Sequence, residues 1–158
     1  MPDYDAVVVG ARCAGSATAM LLARAGMRVL LLDRVHPGRD TLSTHALMRA
    51  GVLQLDRWGV LPRVVAAGTP PVGATTFHYG PRTETVALTA PLYAPRRPVL
   101  DTALLDAALA AGVEARFDAS VVGLERTGGR VAGVRYRRRG GGEETVRAAL
   151  TVGADGLR

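Results

Sequence analysis

Residues 5–34, DAVVVGARCAGSATAMLLARAGMRVLLLDR, decide the fold. Asp5 to Val9 is an apolar run led by an acid, and three successive valines favour a strand covered on both faces. Gly10 to Gly15 is a turn of small residues. Ser16 to Ala25 reads as a helix, with Ala19, Met20, Leu22 and Ala23 spaced for packing and Gly26 as its C-cap. Met27 to Leu32 is a second apolar strand, closed by Asp33-Arg34. Strand, glycine turn, helix, glycine and strand make a βαβ unit, whose crossover is expected to be right-handed.

The turn reads Gly10-Ala11-Arg12-Cys13-Ala14-Gly15. In the dinucleotide fingerprint G-x-G-x-x-G, the first glycine makes the tight turn and the last lets the helix pack on the strand. The middle glycine admits the pyrophosphate to the backbone, and here that position is Arg12. A side chain there costs close approach, yet a guanidinium can pair with phosphate and replace part of what is lost. The helix after the turn still points its N–H groups and positive dipole end at a ligand. An ordinary βα turn can carry two glycines, so the turn alone is weak. Asp33 adds to it. An acid about 20 residues beyond the turn, at the end of the second strand, is what a ribose hydroxyl pair requires. Its charge disfavours a 2′-phosphate, which points to FAD or NAD rather than NADP.

Outward from this unit, His36 to Thr44 is a polar loop and Ala46 to Trp58 is expected to be a helix ending near Gly59. Thr69-Pro70-Pro71 breaks the chain. Thr75 to Tyr79 and Thr85 to Thr89 read as strands around Gly80-Pro81, and Pro91, Pro95 and Pro98 mark an irregular stretch. Leu100 to Ala111 is a helix with Leu100, Leu104, Leu105, Ala108 and Leu109 on one stripe, capped by Gly112. Ala115 to Glu125, Val131 to Arg138 and Thr145 to Val152 form a β-meander through Gly128-Gly129 and Gly140-Gly141-Gly142. The last strand runs into Gly153-Ala154-Asp155-Gly156. There is no internal repeat.

Composition limits the function classes. Hydrophobic residues make up 48% of the 158, so the chain should be globular, and with aromatics at 4% its core must be Val, Leu and Ala. The net charge is +6, but every basic residue is Arg and they are spread along the chain. That pattern fits a GC-rich genome better than a nucleic-acid interface. Cys13 is the sole cysteine, which excludes an internal disulfide and fits a cytoplasmic setting. No segment has the ~18 apolar residues of a membrane span.

The βαβ unit does not separate FAD from NAD, but the chain beyond Asp33 does. Instead of further alternating strands and helices come an excursion, one helix, a meander and a GADG strand end. The sequence resembles the FAD-dependent oxidoreductases of the p-hydroxybenzoate hydroxylase type, which include aromatic monooxygenases and geranylgeranyl-reductase-like flavoproteins. Three segments carry the resemblance: 5–34 with its GARCAGS variant, 97–112 (RPVLDTALLDAALAAG) and Gly153-Ala154-Asp155-Gly156. The resemblance implies an α/β, Rossmann-like FAD/NAD(P)-binding domain with a βαβ unit and three-stranded meander over 1–158. Strands within 69–95 then belong to a second, substrate-side sheet. It implies that Gly10, Ala11, Arg12, Cys13, Ala14 and Gly15 face the pyrophosphate of FAD, that Asp33 holds the ribose and that Arg34 lies beside adenine. Arg97, before the helix, would contact the cofactor, as would Ser43 and Thr44 in the loop DTLSTH. Val121 sits where the family's backbone meets adenine, and Asp155 and Gly156 match the start of the family's DG motif. The family continues well past that motif, so the chain reads as an incomplete N-terminal part, inactive alone.

Other residues have plainer readings. Cys13 is expected to be a small packed residue rather than a redox thiol. His36, His45 and His78 lack metal-ligand spacing, so no metal is expected. Trp58 reads as packing, and Arg135 to Arg139 as a solvated hairpin edge. No catalytic residue is assignable, because flavin chemistry resides in the cofactor. The resemblance implies FAD with NAD(P)H as transient reductant, hydroxylating a small organic substrate, or alternatively a reductase acting on an isoprenoid double bond. A non-catalytic dinucleotide-binding module remains the competing class.

Overall fold

The computed structural model describes residues 2–41 and 46–156; the expected contacts Ser43 and Thr44, and His45, lie outside them. The elements run β1 (Tyr4–Val9), α1 (Cys13–Arg24), β2 (Val29–Leu32), α2 (Arg49–Arg57), α3 (Leu61–Ala66), β3 (Pro71–Tyr79), β4 (Arg82–Tyr93), α4 (Arg97–Ala110), β5 (Glu114–Arg116), β6 (Ala119–Thr127), β7 (Arg130–Arg138) and β8 (Glu143–Gly153). The chain forms two compact units, Met1–Arg39 with Asp101–Arg158, and Asp40–Leu100. Among the described residues no helix is long and apolar enough to cross a membrane.

The first unit is a six-stranded sheet in the order β5-β2-β1-β8-β7-β6. β1 pairs in parallel with β2 and β8, and β2 with β5. The meander β6-β7-β8 is antiparallel. This is the Rossmann-like α/β architecture that the βαβ reading predicts. β1 from Ala6 onward and all of β2 are apolar because both faces are covered: Ala6, Val7, Val8, Leu30, Leu31 and Leu32 are wholly inaccessible. β8 joins the two halves of the sheet. Its first residues pair with β7 and its last with β1, so the meander contributes Ala119, Val134, Tyr136, Val146 and Ala148 to a core shared with Val7, Leu30 and Leu32. At Gly133 (φ +151°) a Cβ would lie 2.0 Å from the Val146 carbonyl oxygen, so only glycine allows β7 and β8 to meet there.

In this unit three expectations change. α1 begins at Cys13, three residues before Ser16, since Gly10 to Arg12 complete the turn. The predicted strand 115–125 is two strands, β5 and β6, broken at Asp118, which has φ +53°. And Leu109 is 43% exposed, whereas Asp101 takes a place on the buried face of α4.

A polar network closes the end of the sheet where β1 starts. The Arg116 guanidinium donates to the Tyr136 hydroxyl (2.7 Å), to the Tyr4 hydroxyl (3.1 Å) and to Glu114 (2.8 Å). Tyr136 in turn donates to Glu144, and Tyr4 to Glu114. This satisfies the hydroxyl of a fully buried tyrosine. The Tyr4 hydrogen bond, and after it Arg116, hold the Glu114 carboxyl below its usual 4.5. A depressed folded-state pKa adds stability that is present above the unfolded value and lost as pH falls through the folded one. Glu114→Gln should therefore shrink the stability difference between about pH 7 and pH 3 in denaturant titrations. An unchanged difference would show that Glu114 does not contribute to the acid sensitivity.

In the second unit, the predicted helix 46–58 is α2, starting at Arg49, and after Gly59 (φ +72°) comes an unforeseen α3 with a proline in its first turn. α2 packs on β4, and Leu55, Val60, Val64 and Leu92 are buried. β3 and β4 form a two-stranded antiparallel hairpin turning at Gly80-Pro81. They run longer than predicted. Pro71 opens β3, and Pro91 lies within β4 beside the register shift between Val72 and Ala74, where no ladder donor is needed. Pro98 is the second residue of α4, a position that tolerates its missing N–H.

Candidate functional site

The register of the parallel strands sets the site. Val9 is opposite Leu32 on one side and Gly153 on the other. The three strand ends are therefore level, and the residues just past them, Gly10, Asp33 and Ala154-Asp155, lie along one sheet edge. Backbone bonds fix them: Gly10 N–H to the Leu32 carbonyl (2.7 Å) and Ala154 N–H to the Val9 carbonyl (2.7 Å). This is the carboxyl-terminal edge of the parallel strands, where open α/β sheets bind ligands.

The two glycines have separate steric reasons. A Cβ on Gly10 would lie 2.4 Å from the Ala154 carbonyl oxygen, and its φ is +103°. A Cβ on Gly15 would lie 1.6 Å from the Gly10 carbonyl oxygen. Gly10 thus lets the turn touch the GADG segment, and Gly15 lets α1 sit on the end of β1. Ser16, fully buried, donates its hydroxyl to the Ala11 carbonyl at 2.8 Å and closes the turn from inside.

Asp33 is clamped through its backbone and its carboxylate. Its N–H donates to the Arg116 carbonyl and its carbonyl accepts from Ala119 N–H. The break between β5 and β6 therefore grips Asp33 from both strands. Oδ2 accepts from Ala11 N–H (2.7 Å) and Oδ1 from Val35 N–H (3.0 Å). A carboxylate has about four acceptor positions. Two are used for orientation, which leaves acceptor capacity for a pair of hydroxyls.

Arg12 has a partner that sequence spacing did not suggest. Its Nε donates to Asp101 Oδ2 at 3.0 Å and a terminal nitrogen donates to the Arg39 carbonyl at 3.3 Å. Asp101 Oδ1 also accepts from Cys13 N–H (3.2 Å) and from the Cys13 thiol (2.8 Å). Asp101 is 7% exposed. It caps the first turn of α1 from α4, in place of the missing side-chain cap at Arg12. The Arg12 charge is thereby set against a carboxylate rather than left wholly to an anion. The signal for Asp101 was available: an acid three and four residues before Leu104 and Leu105 falls on the apolar stripe of α4, where a charge needs a partner. Cys13 is a partly buried free thiol held in this cluster.

Of the remaining predicted residues, Arg34 is exposed one residue past Asp33, and Asp155 and Gly156 are exposed past the end of β8. The Val121 side chain packs against the core, while its neighbours Ser120 and Val122 line an open cleft together with Arg34 and Val35. What β6 presents beside Arg34 at Val121 is therefore backbone. Arg97 is the first residue of α4, half-buried, and Arg96 before it is ion-paired with Asp40.

The geometry fits an adenine dinucleotide: two glycines where a Cβ would collide, a helix N-terminus behind them, and an oriented acid on the neighbouring strand. Comparison with known proteins agrees. Residues 3–158 match the family model described as FAD binding domain. Digeranylgeranylglycerophospholipid reductase 2 of Methanopyrus kandleri is 32% identical over 161 residues, covering 98% of this chain and 38% of that protein. Kynurenine 3-monooxygenase of Salinispora arenicola is 33% identical over 169 residues, covering 96% of this chain and 36% of that protein. Among solved structures, the myxobacterial chondrochloren halogenase, a variant of FAD-dependent halogenases, superposes with a TM-score of 0.89 at 30% identity, over 98% of this chain and 38% of its own. The chain spans well under half the length of these relatives.

Proposed function

The chain belongs to the FAD-binding-domain family, and from that premise we propose that its carboxyl-terminal sheet edge holds the ADP half of FAD in an oxidoreductase of monooxygenase type. The observation that carries this reading is the common register of β1, β2 and β8, which brings Gly10, Asp33 and Asp155 to one edge. Gly10, Ala11, Arg12, Cys13, Ala14 and Gly15 form the pyrophosphate turn. Asp33 accepts from the adenosine ribose. Arg34 and the β6 backbone at Val121 flank adenine, Asp155 and Gly156 close over the pyrophosphate, and Arg97 serves the flavin end. FAD, when bound, supplies the redox chemistry, and the protein supplies binding and orientation.

For the whole protein the reading is NAD(P)H-driven hydroxylation of a small organic substrate, supported by the kynurenine 3-monooxygenase relative. β3 and β4 are the start of its substrate-side sheet. A second reading, reduction of an isoprenoid double bond, is favoured by the match to the Methanopyrus reductase. Anaerobic mixing of the FAD-loaded protein with NADH or NADPH separates them. Bleaching of the visible flavin band by either nucleotide supports the hydroxylase. A band that neither bleaches, but that another electron donor does, contradicts it in favour of the reductase.

A further inference from the structure

Arg12 stands where the dinucleotide fingerprint has a glycine, yet its backbone does not require one. Its φ is −89° and its ψ −166°, an extended conformation open to any residue. The purpose left for a glycine here is room, because a side chain at this position can stand between the backbone and a pyrophosphate. What matters is therefore where the Arg12 side chain goes. Asp101 takes its Nε at 3.0 Å, and the Arg39 carbonyl takes a terminal nitrogen at 3.3 Å. The side chain is thus drawn toward α4 and the loop after β2.

Asp101 is not what stability alone would select. It shares the apolar stripe of α4 with Leu104, Leu105 and Ala108, and it is buried with them. Desolvating a carboxylate is costly, and apolar side chains in place of a buried ion pair are often neutral or stabilising. Its bonds point to another purpose. Oδ2 meets Arg12, and Oδ1 meets both the N–H and the thiol of Cys13, so the carboxylate is directed at the glycine turn. The first-turn donors of α1 are divided as a result. Cys13 N–H goes to Asp101, and Ser16 N–H goes back to the Arg12 carbonyl (2.8 Å). Ala14 and Gly15 lie between them, and N–H groups at these positions have no acceptor within their own helix. They are the donors that the turn can offer a phosphate.

We propose that Asp101 is a positioning residue for FAD binding: it holds the Arg12 side chain aside and so supplies the clearance that the absent glycine would give. The proposal rests on the reading that this turn seats the pyrophosphate. Without Asp101 the Arg12 side chain is released at the mouth of the turn, where it covers the Ala14 and Gly15 donors. Arg12 and Asp101 then act as a pair, and removing the arginine should relieve the loss of the aspartate.

The test is fluorescence titration with FAD, alongside thermal midpoints, for the wild type, Asp101→Ala, Asp101→Asn and each of these combined with Arg12→Gly. Both Asp101 variants should bind FAD about tenfold or more weakly. Arg12→Gly removes the side chain that has to be held, and should restore most of that loss. In the wild-type background it should bring no gain. The midpoint of Asp101→Ala, lowered by the lost cap on Cys13 N–H, should stay low when the affinity recovers, which a purely structural Asp101 would not give. Asp101→Asn keeps the shape and carries the comparison if Asp101→Ala does not fold. Unchanged or tighter FAD binding in the Asp101 variants overturns the proposal. So does a loss that Arg12→Gly leaves in place, which would make Asp101 a cap of α1 only. Wild-type protein that binds neither FAD nor ADP overturns the underlying reading as well.

Discussion

Gly15→Ala is expected to abolish FAD retention and to destabilise the fold. The added methyl would lie 1.6 Å from the Gly10 carbonyl oxygen. That atom is backbone, pinned by the Gly10 N–H bond to Leu32, so no rotamer change relieves the clash. α1 must lift from β1, and the turn must open with it. Overpacking of this kind costs on the order of 3 kcal/mol, and displacing the helix N-terminus from the pyrophosphate removes its N–H donors. The predicted loss is at least about 100-fold in FAD affinity, read by fluorescence titration, with a lower denaturant midpoint. Gly26→Ala is the control. Unlike Gly15 it has a positive φ (+87°), but an added Cβ there meets nothing within 4 Å. It should cost only about 1 kcal/mol of backbone strain and leave FAD affinity unchanged. Wild-type FAD affinity in Gly15→Ala would show that close packing of α1 on β1 is not what forms the site.

Asp33→Ala is expected to weaken FAD by about 100-fold, since each hydrogen bond to a charged acceptor contributes about 1.5–3 kcal/mol and the ribose offers two hydroxyls. The substitution also strips the acceptor from Ala11 N–H at 2.7 Å. A part-buried donor left without a partner costs about 1–3 kcal/mol, so stability should fall too. Asp33→Asn separates the two losses. It keeps the shape and one acceptor oxygen, and should recover most of the stability but only part of the affinity. Unchanged FAD affinity in both variants would remove Asp33 from the ribose.

The βαβ unit was legible because its signals are local: two short apolar runs, a glycine turn and a glycine cap within residues 5–34. Asp33 was legible for the same reason, as an acid at a strand end. What stayed hidden depends on contacts distant in sequence. Asp101 meets Arg12 across 89 positions, and nothing in the turn itself indicates that its arginine is answered by a carboxylate on another helix. The break at Asp118 was missed because 115–125 carries no proline, and the strain of a positive φ at an aspartate leaves no mark in composition. Yet that break lets Arg116 and Ala119 hold the two sides of the Asp33 backbone. The arginine run 135–139 read as a solvated edge. Only the hairpin's placement beside the loop after β2 shows part of it lining a cleft.

Recognition of FAD by its ADP half is tested most directly by a competition titration. The protein is saturated with FAD, and ADP, FMN and NAD are added in turn while flavin fluorescence reports release. ADP is expected to displace FAD, and FMN, which lacks the adenosine, is not. A protein that binds NAD but not FAD, or that releases FAD to FMN and not to ADP, would contradict recognition through the ADP half.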